Sequence, residues 1–147
     1  MTREIQIRLA GEGDLDAVFQ LIQGDAFVFE TGTREDYARA FAEVLAHPDN
    51  ELVVATLGAE VVGTLQLTFI PGLGIRRRAL VESVRVREDM RNLRIGTRLM
   101  EWVVERARAR KCGVVQLTTN VARKDAQRFY QRLGFTPSHV GMKLFLG

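Results

Sequence analysis

Val84-Arg85-Val86-Arg87-Glu88-Asp89-Met90-Arg91-Asn92-Leu93-Arg94-Ile95-Gly96-Thr97 decides the architecture of this chain. An apolar, β-branched strand runs into a short basic loop, and a helix opens at or just before Ile95-Gly96. The first N–H groups of a helix have no intrahelical acceptor, and here they sit beside arginine charge. The arrangement predicts a site for an anion, most naturally a phosphate or pyrophosphate.

Downstream, Ile95, Leu99, Val103 and Ala107, with Met100 and Val104 alongside, repeat at 3.6 residues and predict a long amphipathic helix with Gly113 as its stop. Val114 to Thr119 reads as a strand. Ala126, Phe129, Tyr130 and Leu133 mark a last helix, with Asp125 in its first turn and Gly134 after its end. Phe135 and the segment from Gly141 to Leu146 read as final strands.

Upstream, strands are predicted over about Leu80 to Val86, Val61 to Phe69 and Glu51 to Leu57, the latter two joined as a hairpin by Gly58-Ala59-Glu60. Thr33 and Asp36 form a capping-box pair before a helix striped by Tyr37, Phe41, Val44 and Leu45 and stopped by Pro48. Asp14 is expected to cap an earlier helix carrying Leu15, Val18, Phe19 and Ile22, with Gly24 ending it. Ile5, Ile7 and Leu9 alternate with Glu4, Gln6 and Arg8, a strand with one buried face. The order is β-α-α-β-β-β-α-β-α-β, an α/β domain with a mixed sheet.

The 147 residues suit one domain, with a mild net charge of +3 that fits an anionic ligand without demanding nucleic acid. Cys112 is the lone cysteine, so no internal disulfide forms, and a reducing, cytoplasmic compartment is expected. No apolar run spans a bilayer, and the N-terminus enters a strand pattern without a signal-peptide apolar region. His47 and His139 have no ligand partners at metal spacing, so no metal is expected.

Two segments carry a family resemblance. Arg91-Asn92-Leu93-Arg94-Ile95-Gly96 is similar to the pattern Arg/Gln-x-x-Gly-x-Gly/Ala, with Arg94 where glycine is usual. Ala126-Gln127-Arg128-Phe129-Tyr130-Gln131-Arg132-Leu133-Gly134-Phe135 reproduces the ending A-x-x-F/L-Y-x-x-L-G-F. In this order and spacing the chain resembles the GNAT superfamily of acyl-CoA-dependent N-acetyltransferases. The resemblance implies a single domain over residues 1–147. Its sheet would be mixed, mostly antiparallel, of six to seven strands flanked by four helices and splayed at the cofactor site.

The resemblance also implies roles. The loop Arg91, Asn92, Leu93, Arg94, Ile95, Gly96 holds the pyrophosphate of acetyl-CoA, with a hydroxyl from Thr97. Arg94 is expected to take a helical conformation and add a charge-assisted contact. The backbone of Val84, Arg85 and Val86 meets the pantetheine arm, and Asn120 meets cofactor or substrate near the splay. Tyr130 donates a proton to the departing thiolate, and Glu82 accepts one from the amine. Each has a plainer reading. The loop is a solvated basic turn, the strand is core, Asn120 is turn chemistry, and Tyr130 is a core tyrosine with a surface hydroxyl. Glu82 pairs with one of Arg76, Arg77 and Arg78. Strand parity expects Glu82 to share a face with Val84 and Val86, with Ser83 opposite. Arg123, standing where the family commonly has asparagine, reads as surface charge.

Phe27, Phe29 and Tyr37 lie where such proteins build the acceptor pocket, although bare aromatics are more often core. Arg76 to Arg78 read as a solvated run. Cys112 reads as structural, with no base to activate it. The expected activity is transfer of acetyl from acetyl-CoA to a primary amine of a small molecule. The alternatives are a protein or peptide acetyltransferase of the same fold, or a non-catalytic CoA-binding regulatory module. A homodimer is compatible with the family; nucleic acid and membrane are not expected partners.

Overall fold

The structure is a computed structural model that describes residues 4–23 and 32–147. The chain divides into two compact units, Met1–Leu117 and Thr118–Gly147. In the first unit the elements are β1 (Ile5–Leu9), α1 (Leu15–Gln23), α2 (Arg34–Ala46), β2 (Asn50–Leu57), β3 (Glu60–Ile70), β4 (Arg78–Val86), α3 (Ile95–Ala109) and β5 (Val114–Leu117); the second contains α4 (Lys124–Arg132). The strands lie in sequence order, β1-β2-β3-β4-β5, antiparallel except for the parallel β4–β5 pair that α3 connects.

The register sorts the sheet into two faces. Ala55 opposes Gly63, Val53 opposes Leu65, Leu67 opposes Val81, and Phe69 opposes Ala79. This face carries α3. Gly63 shows why: a Cβ there would lie 3.1 Å from Ile95 Cγ2 and 3.2 Å from Leu99 Cδ1, so glycine lets the helix seat close to the sheet. Leu65, Leu67, Leu99 and Val103 are fully buried between the two. The other face, with Leu52 opposite Gln66 and Val54 opposite Thr64, is covered by α1 and α2.

Arginine contacts fix α3 along its length. Arg106 donates from Nε to Glu51 Oε1 at 2.7 Å and from Nη2 to Oε2 at 2.6 Å, a bidentate pair on β2 whose carboxylate is buried. The guanidinium of Arg110 lies 4.2 Å from the centre of the Phe69 ring. Arg98 reaches the Ile5 carbonyl at 3.1 Å.

Local signals hold in most places. Thr33 Oγ1 accepts from Asp36 N–H at 3.2 Å, and Asp36 Oδ2 accepts from Thr33 N–H at 3.0 Å, which is the capping box expected. The hairpin and the α4 boundaries also match, with Gly134 in the left-handed region at φ 102°.

Four expectations are corrected. The described residues form five strands, not six or seven. Residues 135–147 carry no strand, and Val140, Met142, Leu144, Phe145 and Leu146 are exposed. Apolar alternation makes a strand only where a partner edge completes the ladder, and the second unit contains no strand to supply one. At the end of α3 it is Lys111, at φ 59°, that takes the left-handed conformation. Gly113 serves a close approach instead: it donates to the Arg77 carbonyl at 2.8 Å, and a Cβ on it would collide with the Arg76 side chain. Asp14 does not cap α1; it closes a preceding short 3₁₀ turn by accepting from Gly11 N–H at 2.8 Å and pairing with Arg8. Gly24, Phe27 and Phe29 lie outside the described residues.

Candidate active site

The loop Arg91 to Arg94 is exposed, and the chain turns into α3 through Arg94, which sits at φ 62°, ψ 22°. This corrects the right-handed conformation expected for it. Arg94 adopts the left-handed backbone that glycine, the usual residue in the pattern, takes freely, and for a residue with a Cβ that costs roughly 1–2 kcal/mol. The backbone path of the pattern is therefore kept while a guanidinium is added.

Arg94 makes no side-chain cap, and no acidic residue lies in the first turn of α3. The first intrahelical bond is from Arg98 N–H to the Arg94 carbonyl at 3.0 Å. The N–H groups of Ile95, Gly96 and Thr97 precede it, at the positive end of a 15-residue helix. Ile95 is buried against the sheet, which anchors this turn, while Gly96 and Thr97 are partly open. Geometry and charge together suit a di-anionic group.

Beside this turn, β4 breaks its alternation. Gln66 opposes Glu82 but Thr64 opposes Arg85, so β4 carries one residue more than β3 across this interval. Ser83, at φ 54°, supplies the distortion, a β-bulge. The bulge overturns the parity expected for Glu82. Glu82 shares the α1/α2 face with Arg85, whereas Val86, opposite Gly63, lies on the α3 face. The Glu82-Ser83 polar pair inside an apolar run was the only sequence hint of it.

Glu82 is exposed. Among the described residues it forms no ion pair, and Arg76, Arg77 and Arg78 lie toward the opposite end of the strand, with Arg78 opposite Ile70. The pairing read as its plainer alternative is not formed.

The parallel ladder between β4 and β5 ends at Val81 with Leu117, while β4 continues to Val86. Residues 82–86 extend past it and carry the Val84, Arg85 and Val86 backbone beyond the last β5 pair. One acceptor there is engaged: Arg85 Nη1 donates to the Val84 carbonyl at 2.8 Å.

In the second unit, Asn120 shows the turn chemistry that was its plainer reading. Its Oδ1 accepts from Ala122 N–H at 2.9 Å and its carbonyl from Arg123 N–H at 2.9 Å. Gln127 Nε2 donates to the Asn120 carbonyl at 3.2 Å, tying the turn to α4. Tyr130 is half-buried, edge-on to Phe129 with centroids 5.2 Å apart and to Phe135 at 5.7 Å. The phenol is thus held between two rings of its own unit.

Other residues fall away from this chemistry. The Cys112 thiol is pushed up by burial, against the pull of Arg77 and Arg110, which makes it a poor nucleophile. His47 Nδ1 accepts from Asp49 N–H at 3.2 Å at the end of α2. Among the described residues, no three His, Cys, Asp or Glu gather to hold a metal ion, and no helix is long and apolar enough to cross a membrane. An apolar cavity lies between α1, α2 and the sheet, and Tyr37, one of the three aromatics expected near the acceptor, lines it; Phe27 and Phe29 lie outside the described residues. Helical stripes signal burial in general and do not reveal where packing leaves space.

Comparison with known proteins bears on this geometry. A family profile described as the acetyltransferase (GNAT) family matches residues 15–135. Over 141 residues the chain is 31% identical to an aminoalkylphosphonate N-acetyltransferase of Salmonella typhimurium, covering 91% of this chain and 86% of the relative. A crystal structure described as a transcriptional regulator from Bacillus halodurans superposes with a TM-score of 0.91 at 41% identity, over 97% of this chain and 100% of that one. An aminoglycoside N-acetyltransferase solved in complex with CoA superposes with a TM-score of 0.86 at 14% identity, over 99% of this chain and 97% of that one, a likeness of fold alone.

Proposed function

The chain belongs to the acetyltransferase (GNAT) family, and from that premise we propose that it transfers acetyl from acetyl-CoA to the primary amine of a small molecule. The observation that carries the reading is the α3 N-terminal turn, uncapped, free of acid and entered through a left-handed arginine. The pyrophosphate would accept from the N–H groups of Ile95, Gly96 and Thr97, with Arg91 and Arg94 beside it and Asn92 and Leu93 shaping the loop. The backbone of Val84, Arg85 and Val86, beyond the last β5 pair, would meet the pantetheine amides, and Asn120 is proposed to contact the cofactor through the groups its turn leaves available.

The proposed chemistry is direct attack by the amine on the thioester. Glu82 takes a proton from the substrate ammonium. The freed nitrogen lone pair attacks the thioester carbonyl carbon, a C–N bond forms, and the carbonyl becomes an oxyanion. As the oxyanion collapses, the C–S bond breaks and the nitrogen loses a second proton to solvent. Tyr130 protonates the departing thiolate and recovers its own proton from solvent, so the net change is ammonium plus thioester to amide, thiol and one proton. Most of the rate would come from holding amine and thioester together.

Thiol release from acetyl-CoA with an amine panel tests this. The expected result is turnover that falls about 10²-fold in Glu82→Gln. Absence of acetyl-CoA binding by calorimetry would overturn it. The regulatory description of the Bacillus halodurans relative favours one second reading, a non-catalytic CoA-binding module. Acetyl-CoA binding without turnover on any amine would select that reading. The exposed run Val140, Met142, Leu144, Phe145 and Leu146 supports a homodimer, which sedimentation would read directly.

A further inference from the structure

The cavity on the α1/α2 face has a volume of about 160 Å³. Phe19, Ile22, Tyr37, Phe41 and Leu52 are among the residues that line it, with Phe19 and Tyr37 packed edge-on at a centroid distance of 4.9 Å. Among the described residues, no charged side chain lines it. Its polar lining residues are Thr64, Gln66 and Ser83 on the sheet side and Tyr37 on α2. The Thr64 hydroxyl is already committed, donating to the Val53 carbonyl at 2.8 Å. Gln66 is the register partner of Glu82, so the carboxylate stands on the same face as the cavity, next to its polar side.

We infer that this cavity selects the acceptor, and that the acceptor is a primary amine on a compact apolar body, one ring or a branched alkyl group joined to nitrogen by one or two carbons. The inference rests on the acetyltransferase reading and deepens it. The size matches: an apolar cavity of roughly 150 Å³ accepts one benzene. The chemistry matches as well. A phosphonate, phosphate or polyhydroxylated ring would enter a wall whose described residues offer no cation and few free donors, and would lose its hydration without replacement. An apolar body loses no hydrogen bonds there and leaves its ammonium at the sheet side, where Glu82 supplies the counter-charge. The register with Gln66 sets Glu82 on the α1/α2 face, and the bulge at Ser83 then puts Val86 on the α3 face.

An aminoalkylphosphonate, the acceptor named for the Salmonella relative, is thus the informative competitor. The test compares phenethylamine and isoamylamine with 2-aminoethylphosphonate and glucosamine 6-phosphate as acceptors for the full chain. The apolar amines are expected to show kcat/KM at least tenfold above the anionic ones. Binding is read separately, as the shift in melting temperature that each amine gives the protein without acetyl-CoA. Ala40→Trp fills the cavity from the exposed side of α2. It is expected to raise KM for phenethylamine at least tenfold and to abolish its melting shift, with the Kd for acetyl-CoA unchanged. Val44→Phe serves the same purpose should Ala40→Trp fail to fold. A preference for the phosphonate or the sugar phosphate, or phenethylamine binding indifferent to both substitutions, would overturn the inference, as would the absence of any apolar-amine binding. Loss of acetyl-CoA binding in the wild-type protein would instead remove the acetyltransferase reading, and the melting shifts would still decide what the cavity holds.

Discussion

The first turn of α3 and the middle of α4 carry the two parts of the proposed chemistry on very different foundations. Helix α3 buries Ile95, Leu99, Met100, Val103 and Ala107 against the sheet, whereas α4 has no fully buried residue. Yet it is α4 whose sequence reproduces the family pattern at every specified position, while the α3 turn departs from it at Arg94. Agreement with a motif and contribution to the core are therefore separate properties of a helix. One helix is held mainly by packing, and its N-terminal turn inherits that rigidity. The other packs its motif residues Phe129 and Tyr130 only partly buried, Tyr130 against Phe129 and Phe135, and the chemical role proposed for Tyr130 is what separates it from an ordinary amphipathic helix.

The sharpest way to break this contrast is to remove a buried side chain from α3. Leu99 is completely buried beside Gly63. Leu99→Ala is expected to cost about 2–5 kcal/mol in denaturant unfolding, with weaker acetyl-CoA binding as the turn loosens. Tyr130→Phe is the opposite probe. It keeps the ring contacts with Phe129 and Phe135 and removes only the hydroxyl, so stability should change by about 1 kcal/mol or less. Turnover is expected to fall about 10²-fold, equivalent to roughly 2.7 kcal/mol in the barrier. A Tyr130→Phe protein with full turnover would return α4 to an ordinary amphipathic helix.

The same contrast explains what could be read from the residues alone. Helix α3, the β2–β3 hairpin and the α2 capping box were legible because each depends on local periodicity, turn geometry or a cap. The five-strand count was not, since residues 135–147 alternate like a strand and only a partner edge decides whether they become one. The face of Glu82 was misread because parity assumes an unbroken pleat, and the bulge at Ser83 adds a residue. Tyr37 marked the region of the cavity, but its full lining was not legible, because space between helices depends on how they pack, not on which residues form their stripes.

Arg94 joins backbone strain to charge, and a single substitution separates them. Arg94→Gly relieves the left-handed strain, roughly 1–2 kcal/mol, against a loss of about 0.5–1 kcal/mol from the freer unfolded chain. A net gain of about 0.5 kcal/mol is expected, read as a raised melting temperature. The guanidinium is lost at the same time. If it touches phosphate as proposed, the Kd for acetyl-CoA weakens about tenfold, the lower end for a hydrogen bond between charged groups. A protein made more stable with unchanged affinity would show that the arginine points to water and that the N–H groups suffice.

The smallest effect tests the edge of the first unit. Asp14 pairs with Arg8 at 2.7 Å, and the hydrogen bond from Arg8, aided by Gly11 N–H, holds its carboxyl below the usual range. A group whose folded value is depressed contributes stability that is present above its unfolded value and lost as pH falls through the folded one. Asp14→Asn should therefore be less stable than wild type near neutral pH, and the two unfolding curves should converge in the acid range as the wild-type carboxyl takes up its proton. Because Arg8 is half-exposed, the separation should be no more than about 1 kcal/mol and should shrink further in high salt. A gap that persists unchanged into acid would assign the effect to the Gly11 turn, whose geometry asparagine would then have failed to reproduce, and not to charge.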